Sequence, residues 1–167
     1  WLDDGHVVIQ SARALMRLAP DGTAQRYELG RVLPIDYPGS RFPGRLPYAS
    51  GSSGGWPMLP ATDGSDVVMV VGRGRGNDTN ALACVNFDAR GLLVPKWTRS
   101  DEGWLRAGET EPVEEDTAWN FQPGPVVHAG RVFVQARESA NGDNGDAAGA
   151  RIWLLALDLE DGAILWK

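Results

Sequence analysis

The sequence has very little of what disulfide-rich proteins and cysteine-based metal sites require. Among its 167 residues there is one cysteine, and there are two histidines. With a single thiol, the chain can form neither an internal disulfide nor a cysteine cluster for zinc. Cys84 lies in an apolar, strand-like stretch. We therefore expect a buried structural thiol there, which is the usual state of a free cysteine.

Long apolar runs and an excess of positive charge are also absent. No apolar stretch approaches the ~20 residues that a membrane-spanning helix needs, so we predict no transmembrane segment. The chain has 16 Lys and Arg residues against 22 Asp and Glu residues, which gives a net charge of −6. Because binding to nucleic-acid phosphates needs a concentrated basic face, we expect no nucleic-acid partner.

Glycine, proline and tryptophan are plentiful, with 21, 11 and 7 residues. Glycine and proline interrupt the chain at short intervals and leave few amphipathic helical stretches, which favours an all-β fold. The length fits a single domain covering residues 1–167. The first residues, Trp1 to Asp4, include neither an initiator Met nor a basic-then-apolar leader. We expect the chain to be a fragment of a longer protein.

A pattern of apolar strands joined by glycine turns occurs three times. The copies cover approximately residues 1–29, 58–97 and 121–167. Recurrence of one supersecondary unit is the mark of a repeat architecture, and we predict a four-stranded antiparallel meander for each copy. In the first copy, a helix over residues 11–18 is the alternative. The hairpin signal Pro20-Asp21-Gly22 favours strands on both of its sides.

Two long connectors separate the three copies. Residues 30–57 are rich in proline, glycine and serine, so we predict no regular element there. Residues 98–120 are predicted to form a second, acidic loop, and Trp97, Trp104 and Trp119 lie in or beside it. Aromatic residues next to charge suit a partner interface, so these three are candidate interface residues. The alternative is a solvated connector whose tryptophans pack on sheet edges.

The C-terminal stretch 156–166 predicts a β-hairpin, because an apolar strand leads into a polar turn that ends in Gly162. Ala156 is first in this stretch, Asp158 third, Gly162 seventh and Trp166 eleventh. In this spacing the stretch resembles the tryptophan-docking repeat of PQQ-like (quinoprotein-type) β-propellers. The resemblance implies about three four-stranded antiparallel blades of a partial propeller, in which Trp166 docks between adjacent sheets. Only the third copy has all four marker residues.

The resemblance implies two classes of function. In the first, the propeller is a non-catalytic platform for protein or ligand binding, and we expect no cofactor, no metal and no catalytic residue. Its partner would then be a protein or the remaining blades of the parent chain. In the second, the blades belong to a quinoprotein dehydrogenase that uses PQQ and Ca²⁺. No motif allows the Asp, Glu and Asn roles of that enzyme to be placed on numbered positions, which favours the platform.

The resemblance also implies a bacterial protein located outside the cytoplasm, in the periplasm or cell envelope. A WD-type propeller is disfavoured, because the sequence has no Gly-His and Trp-Asp signature.

Four other motifs have a plainer alternative as a loop or turn, which we favour in each case. Residues 51–55 match G-x-S-x-G but lack the flanking strand and helix of a nucleophile elbow. Residues 72–77 could cradle an anion, yet they lack the Lys-Ser/Thr of a phosphate loop. Residues 141–146 carry oxygen donors without the spacing of a calcium loop. His6 and His128 have no converging carboxylate or cysteine to complete a metal site.

Overall fold

The computed structural model describes residues 1–11, 14–33, 59–72, 80–100, 103–109, 111, 113, 117–139 and 151–167. Within these ranges the chain is all-β, with thirteen strands in three antiparallel sheets and a single four-residue helix. The strand order of each sheet is open, so none of the three closes on itself. The predicted all-β fold class is confirmed.

Sheet 1 is formed by the N-terminal strands β1 (Val7–Gln10), β2 (Ala14–Leu18) and β3 (Ala24–Glu28), in that order. The hairpin between β2 and β3 turns at Gly22, which has a φ of +86°. The Asp21 carboxylate accepts a hydrogen bond from the Thr23 N–H at 2.8 Å and stabilises this turn. The predicted strands are therefore confirmed, and the helical alternative over residues 11–18 is wrong.

A short helix, α1 (Leu29–Val32), follows β3. The prediction of no regular element over residues 30–57 is wrong for its first residues. Leu29 is completely buried in the core between sheets 1 and 2. This burial of an apolar side chain explains why the chain turns inward directly after the edge strand.

Sheet 2 has five consecutive strands in the order of the chain. They are β4 (Ala61–Asp63), β5 (Asp66–Gly72), β6 (Asn80–Phe87), β7 (Leu93–Ser100) and β8 (Gly103–Arg106). Sheet 3 also has five strands. They are β9 (Ala118–Phe121), β10 (Val126–His128), β11 (Arg131–Ser139), β12 (Ile152–Asp158) and β13 (Ile164–Trp166). The order in sheet 3 is β10-β11-β12-β13, and β9 pairs with the far end of β11.

The sheets therefore have three, five and five strands, and the prediction of four strands per unit is wrong in this detail. The segment 98–120, predicted as a loop, contains the end of β7, all of β8 and most of β9. Backbone hydrogen bonds in both directions between Trp104 and Val113, at 3.0 and 2.7 Å, hold β8 on its outer side. The acidic residues of this segment obscured the short alternation of buried and exposed side chains in β8.

The three sheets pack face to face, and sheet 2 is in the middle. In β5, Val67, Met69 and Val71 belong to the core shared with sheet 1. The alternate residues Val68 and Val70 belong to the core shared with sheet 3. This two-face burial follows from the period-2 geometry of a strand, and it explains why β5 is apolar throughout.

The run 152–157 has no polar alternation, which predicts burial on both faces, but strand β12 differs from this prediction. Leu155 and Leu157 are fully buried, but Ile152 is 66% exposed and Leu154 is 55% exposed. The two exposed side chains lie on the face of sheet 3 that points away from sheet 2. In the described part of the chain, no helix is long and apolar enough to cross a membrane.

Candidate functional site

The most elaborate constellation of side chains joins sheet 2 to the turn between β12 and β13 in sheet 3. Trp97, on β7, is only 1% exposed. Its indole Nε1 donates a hydrogen bond to the carbonyl oxygen of Leu159 at 2.9 Å. The ring lies so close to Gly162 that a Cβ atom there would be 2.5 Å from Trp97 Cδ2. The indole therefore bridges the two sheets, and its contact surface in the turn accepts only glycine.

The turn that receives Trp97 is built by its own polar side chains. The Asp158 carboxylate accepts a hydrogen bond from the Glu160 N–H at 2.7 Å. The Asp161 carboxylate accepts one from the Ala163 N–H at 2.9 Å. Gly162 has a φ of +78° and donates its N–H to the Asp158 carbonyl at 2.9 Å. Asp158 thus shapes the turn, and Gly162 provides both the left-handed conformation and the flat surface under the indole.

Two more side chains of sheet 2 donate to carbonyl oxygens of the same turn. Arg99 Nε donates to the Gly162 carbonyl at 2.6 Å, and Trp104 Nε1 donates to the Asp161 carbonyl at 2.8 Å. The Arg99 guanidinium also lies 4.8 Å from the centre of the Trp104 ring, a cation–π arrangement. Together with Trp97, three side chains of sheet 2 donate hydrogen bonds to three backbone carbonyls of sheet 3. These buried polar groups therefore keep hydrogen-bond partners in place of water.

Polar contacts also tie the two sheets together at other points of their junction. Lys96 Nζ lies 3.0 Å from Asp66 Oδ2 in its own sheet and 2.6 Å from Glu160 Oε2 in sheet 3. The Asn80 side-chain amide pairs with the backbone of Phe121, accepting from its N–H at 2.7 Å and donating to its carbonyl oxygen. These pairs fix the lateral position of one sheet on the other.

The junction of sheets 1 and 2 follows the same plan with a tyrosine in place of the tryptophan. Tyr27, on β3, donates its hydroxyl to the Gly91 carbonyl at 2.5 Å. Its ring meets the Phe87 ring edge-on, with the centroids 5.4 Å apart. The Arg17 guanidinium lies 4.9 Å from the Phe87 centroid, and Arg17 Nη1 would be 2.9 Å from a Cβ at Gly91. At this junction Tyr27 therefore joins sheet 1 to sheet 2, as Trp97 joins sheet 2 to sheet 3.

Comparisons with protein-family models, with curated proteins and with solved structures found no match. Within the described ranges, there is no group of three or more His, Cys, Asp or Glu side chains that could hold a metal ion.

The predicted docking residues of the third repeat occupy different environments. Ala156 and Gly162 are buried, Asp158 is half-buried, and Trp166 is 46% exposed. Trp166 packs beside Phe133 of its own sheet, with ring centroids 6.2 Å apart. Docking of Trp166 between adjacent sheets therefore stays a prediction. The bridging role is filled by Trp97, which the sequence had indicated as a candidate interface residue.

The other two candidate interface tryptophans also make contacts within the chain. Trp119 is 3% exposed and belongs to the core between sheets 2 and 3. Lys167 Nζ lies 5.6 Å from the centre of its ring. Trp104 is half-buried between Arg99 and Arg106, with the Arg106 guanidinium 4.9 Å from its ring centre. A partner interface at these three tryptophans stays a prediction, and their contacts within the chain fit the alternative of tryptophans that pack on the sheets.

The remaining motifs give no converging site in the described residues. His6 is half-buried, and its Nδ1 lies 2.8 Å from Asp4 Oδ1, so the expectation of no carboxylate beside it is wrong. His128 is exposed. The segments 51–55 and 141–146 lie outside the described residues, as do residues 73–77 of the glycine-arginine motif.

Two clefts lie at the edges of the sheet junctions. The first has a volume of about 350 Å³ and lies between α1 and strands β7 and β8, where Arg31, Lys96, Arg106 and Glu109 line it. The second, of about 520 Å³, lies between the turns of sheets 1 and 2. Both have mixed charged and apolar linings, which suits a ligand or peptide more than a bare metal ion.

The predicted burial of Cys84 is confirmed. Its thiol has no solvent exposure and lies in the core between sheets 2 and 3, where burial raises its pKa. In the β6–β7 pairing, Cys84 stands opposite Trp97. Its accessibility should therefore report on the opening of this sheet junction.

We expect the Cys84 thiol of the native protein to react with an aromatic disulfide reagent only through opening of the structure, because the thiolate is the reactive form and burial disfavours it. The measurement is the labelling rate at increasing urea concentration, which should follow the fraction of open protein. Trp97→Ala should accelerate labelling. Fast, urea-independent labelling of the unmodified protein would contradict the buried position.

Proposed function

We propose that the three sheets are adjacent blades of a PQQ-like β-propeller and that the chain is a non-catalytic platform for protein or ligand binding. The observation that carries the proposal is the indole of Trp97, which bridges from β7 to the glycine turn of the next sheet. Radial stacking of sheets buries both faces of each blade. Sheet 2 supports that arrangement, because one of its faces packs on sheet 1 and the other on sheet 3. The contact of Tyr27 with Gly91 supports a similar junction between sheets 1 and 2.

The chemistry of the described polar groups also favours a platform. Asp21 and Asp88 accept hydrogen bonds from the backbone N–H groups of Thr23 and Leu92, and these bonds hold the pKa of each carboxyl below its ordinary value. Both carboxylates are therefore ionised, and both stabilise turns. Neither carries the proton that a general acid must donate. Three other polar side chains make contacts across the junction between sheets 2 and 3, namely Lys96, Arg99 and Asn80.

The clefts at the sheet junctions are the binding surfaces that we propose for the platform. The first cleft brings Arg31 and Arg106 to the edge of α1 and β8. The Arg106 guanidinium also lies 4.9 Å from the ring centre of the partly exposed Trp104. Arginine and tryptophan are enriched where proteins bind one another. Location outside the cytoplasm is the part of the proposal that rests on the family resemblance alone.

The experiment that separates the platform from a quinoprotein dehydrogenase is a difference-absorbance titration of the full chain with PQQ in the presence of Ca²⁺. The platform predicts no saturable spectral change. Tight binding at one PQQ per chain would overturn the proposal.

The binding role is tested by affinity capture from an extract of the source organism, with matched variants as bait. A partner of the first cleft should be retained by the unmodified chain and by Leu92→Ala, and lost with Arg31→Glu. Leu92 is an exposed side chain in a turn of sheet 2 and does not line this cleft. Retention of the same proteins by all three baits would count against a partner at the cleft.

A further inference from the structure

The face of sheet 3 that points away from sheet 2 repeats the face of sheet 2 that docks sheet 3. On sheet 2, Val68 pairs with Cys84, and Cys84 pairs with Trp97. On sheet 3, Phe133 pairs with Ala156, and Ala156 pairs with Trp166. Both tryptophan pairings are followed by a register shift at the same point of the ladder. Trp166 thus occupies on sheet 3 the place that Trp97 occupies on sheet 2.

The outer face of sheet 3 is formed by Val126, Phe133, Leu154, Ala156 and Trp166. Three of these side chains are exposed, Phe133 is half-buried and Ala156 is buried. Val126 is 57% exposed, Leu154 is 55% exposed and Trp166 is 46% exposed, whereas Trp97 is 1% exposed. Adjacent exposed apolar side chains of this kind mark an interaction surface. The equivalence with sheet 2 indicates what such a surface accepts, which is the apolar back of another sheet together with its glycine turn.

The same molecule presents a free glycine turn of the required kind in sheet 1. Three turn glycines, Gly22, Gly91 and Gly162, have φ values of +86°, +75° and +78°. A side chain of the preceding sheet lies close to a Cβ position at two of them, with Arg17 Nη1 at 2.9 Å from that position at Gly91 and Trp97 Cδ2 at 2.5 Å from it at Gly162. At Gly22 there is nothing within 4 Å. Gly22 therefore offers an unoccupied glycine turn, a socket of the kind that the Trp97 indole fills at Gly162, and Trp166 has no such turn of its own chain against it.

The back of sheet 1, next to the Gly22 turn, is apolar as well. Leu15 and Val8 pack towards sheet 2, so the alternate residues of β1 and β2 point the other way. Ile9 and Met16 face each other across these two strands, and Leu18 follows on β2. Ile9 is 43% exposed, and Met16 and Leu18 are half-buried. Sheet 1 therefore offers an apolar back and an empty glycine turn together.

We propose that two copies of this chain associate head to tail, with the outer face of sheet 3 in one copy covered by the back of sheet 1 in the other. In this arrangement Trp166 of one copy packs on the Gly22 turn of the second. The inference rests on the stacked-blade architecture of the proposed function. A heterologous contact of this type closes into a ring when the rotation permits. Two copies of three sheets make six, within the range of about 4–8 blades in closed propellers.

The test is the mass of the full chain by sedimentation equilibrium over a wide range of concentration. The proposal predicts a reversible change from 18.0 kDa to twice that value. Trp166→Ala and Gly22→Val should each weaken association by roughly 30-fold or more, the effect of losing a central contact worth about 2 kcal/mol.

Two matched controls separate loss of the proposed contact between copies from backbone strain and from the general loss of an exposed apolar side chain. Gly108→Val places the same side chain at a turn glycine with a φ of +82° and open space around it, so it carries the same backbone strain as Gly22→Val. Leu92→Ala removes an exposed apolar side chain from sheet 2. Gly108 and Leu92 lie on neither proposed face, and both control variants should associate like the unmodified chain.

The most specific test is sedimentation equilibrium of a mixture of the Trp166→Ala and Gly22→Val chains. The Trp166→Ala chain keeps its Gly22 socket, and the Gly22→Val chain keeps its Trp166. An equimolar mixture should therefore form one of the two contacts and recover part of the association that each variant alone has lost. Loss of folding in either variant would give no such recovery.

Three results would overturn the proposal. The unmodified chain could remain at 18.0 kDa throughout, which would mean that another sheet or partner covers the outer face of sheet 3. Trp166→Ala could disrupt the dimer while Gly22→Val does not, which would indicate contact between two copies of sheet 3. A dimer could also be unaffected by both changes. None of these results would alter the junctions within one chain, which separate stability measurements test.

Discussion

Replacing Trp97 with alanine is expected to lower the free energy of unfolding by about 3–5 kcal/mol, the usual range for an emptied aromatic site in a core. The indole is 1% exposed and fills the junction of sheets 2 and 3. Its removal also leaves the carbonyl oxygen of Leu159 buried without the Nε1–H donor. The loss of unfolding free energy is measured by urea denaturation, followed by the far-UV circular dichroism of the β-sheets.

Two further variants divide this effect into its parts. Trp97→Phe keeps a large ring but removes the donor to Leu159, so we expect a loss of about 1–3 kcal/mol for an unpaired buried carbonyl. Trp166→Ala, measured at low protein concentration, should cost clearly less than Trp97→Ala, because Trp166 is 46% exposed. Equal costs for the two tryptophans would show that the indole at the junction has no special role.

Replacing Gly162 with alanine should lower the free energy of unfolding by about 2–5 kcal/mol. A non-glycine residue in the left-handed region costs about 1–2 kcal/mol. Overpacking adds about 1–3 kcal/mol, because the new methyl group would lie 2.5 Å from Trp97 Cδ2 and 2.8 Å from Cε3. The indole is held by its own hydrogen bond to Leu159 and has little freedom to retreat. The measurement is again urea denaturation.

Gly130→Ala is the matched control for this substitution. Gly130 has a φ of +70°, lies in a turn of the same sheet, and has nothing within 4 Å of a Cβ position. Its replacement should therefore cost only the backbone contribution of about 1–2 kcal/mol. If Gly162→Ala cost no more than Gly130→Ala, the close approach of the indole to the turn would be refuted.

The sequence predicted those parts of the fold that follow from local patterns. Glycine turns and apolar strands gave the three antiparallel units, and the marker spacing in the third repeat identified the turn around Gly162. Burial of Val67 to Val71 followed from the absence of polar alternation in β5. In each case, the physical cause acts within a few neighbouring residues.

The parts that sequence reasoning missed depend on contacts between distant segments. The residues around Tyr27 do not indicate that its hydroxyl reaches Gly91 in the next sheet. The one usable signal is that this aromatic residue follows shortly after the turn glycine Gly22. Strand β8 is held by pairing with β7 and Val113, and its acidic neighbours obscure it. The partner of Trp97 lies in a turn of sheet 3 that is more than sixty residues away, so no local window could identify it.

A double-mutant cycle between Trp97 and Gly162 tests the central claim most directly. The free energy of unfolding is measured for the unmodified chain, Trp97→Ala, Gly162→Ala and the double variant. If the indole packs on the glycine turn, Gly162→Ala in the Trp97→Ala background should cost no more than Gly130→Ala, with a coupling of about 1–3 kcal/mol. Strictly additive losses would contradict an aromatic lock between the two sheets.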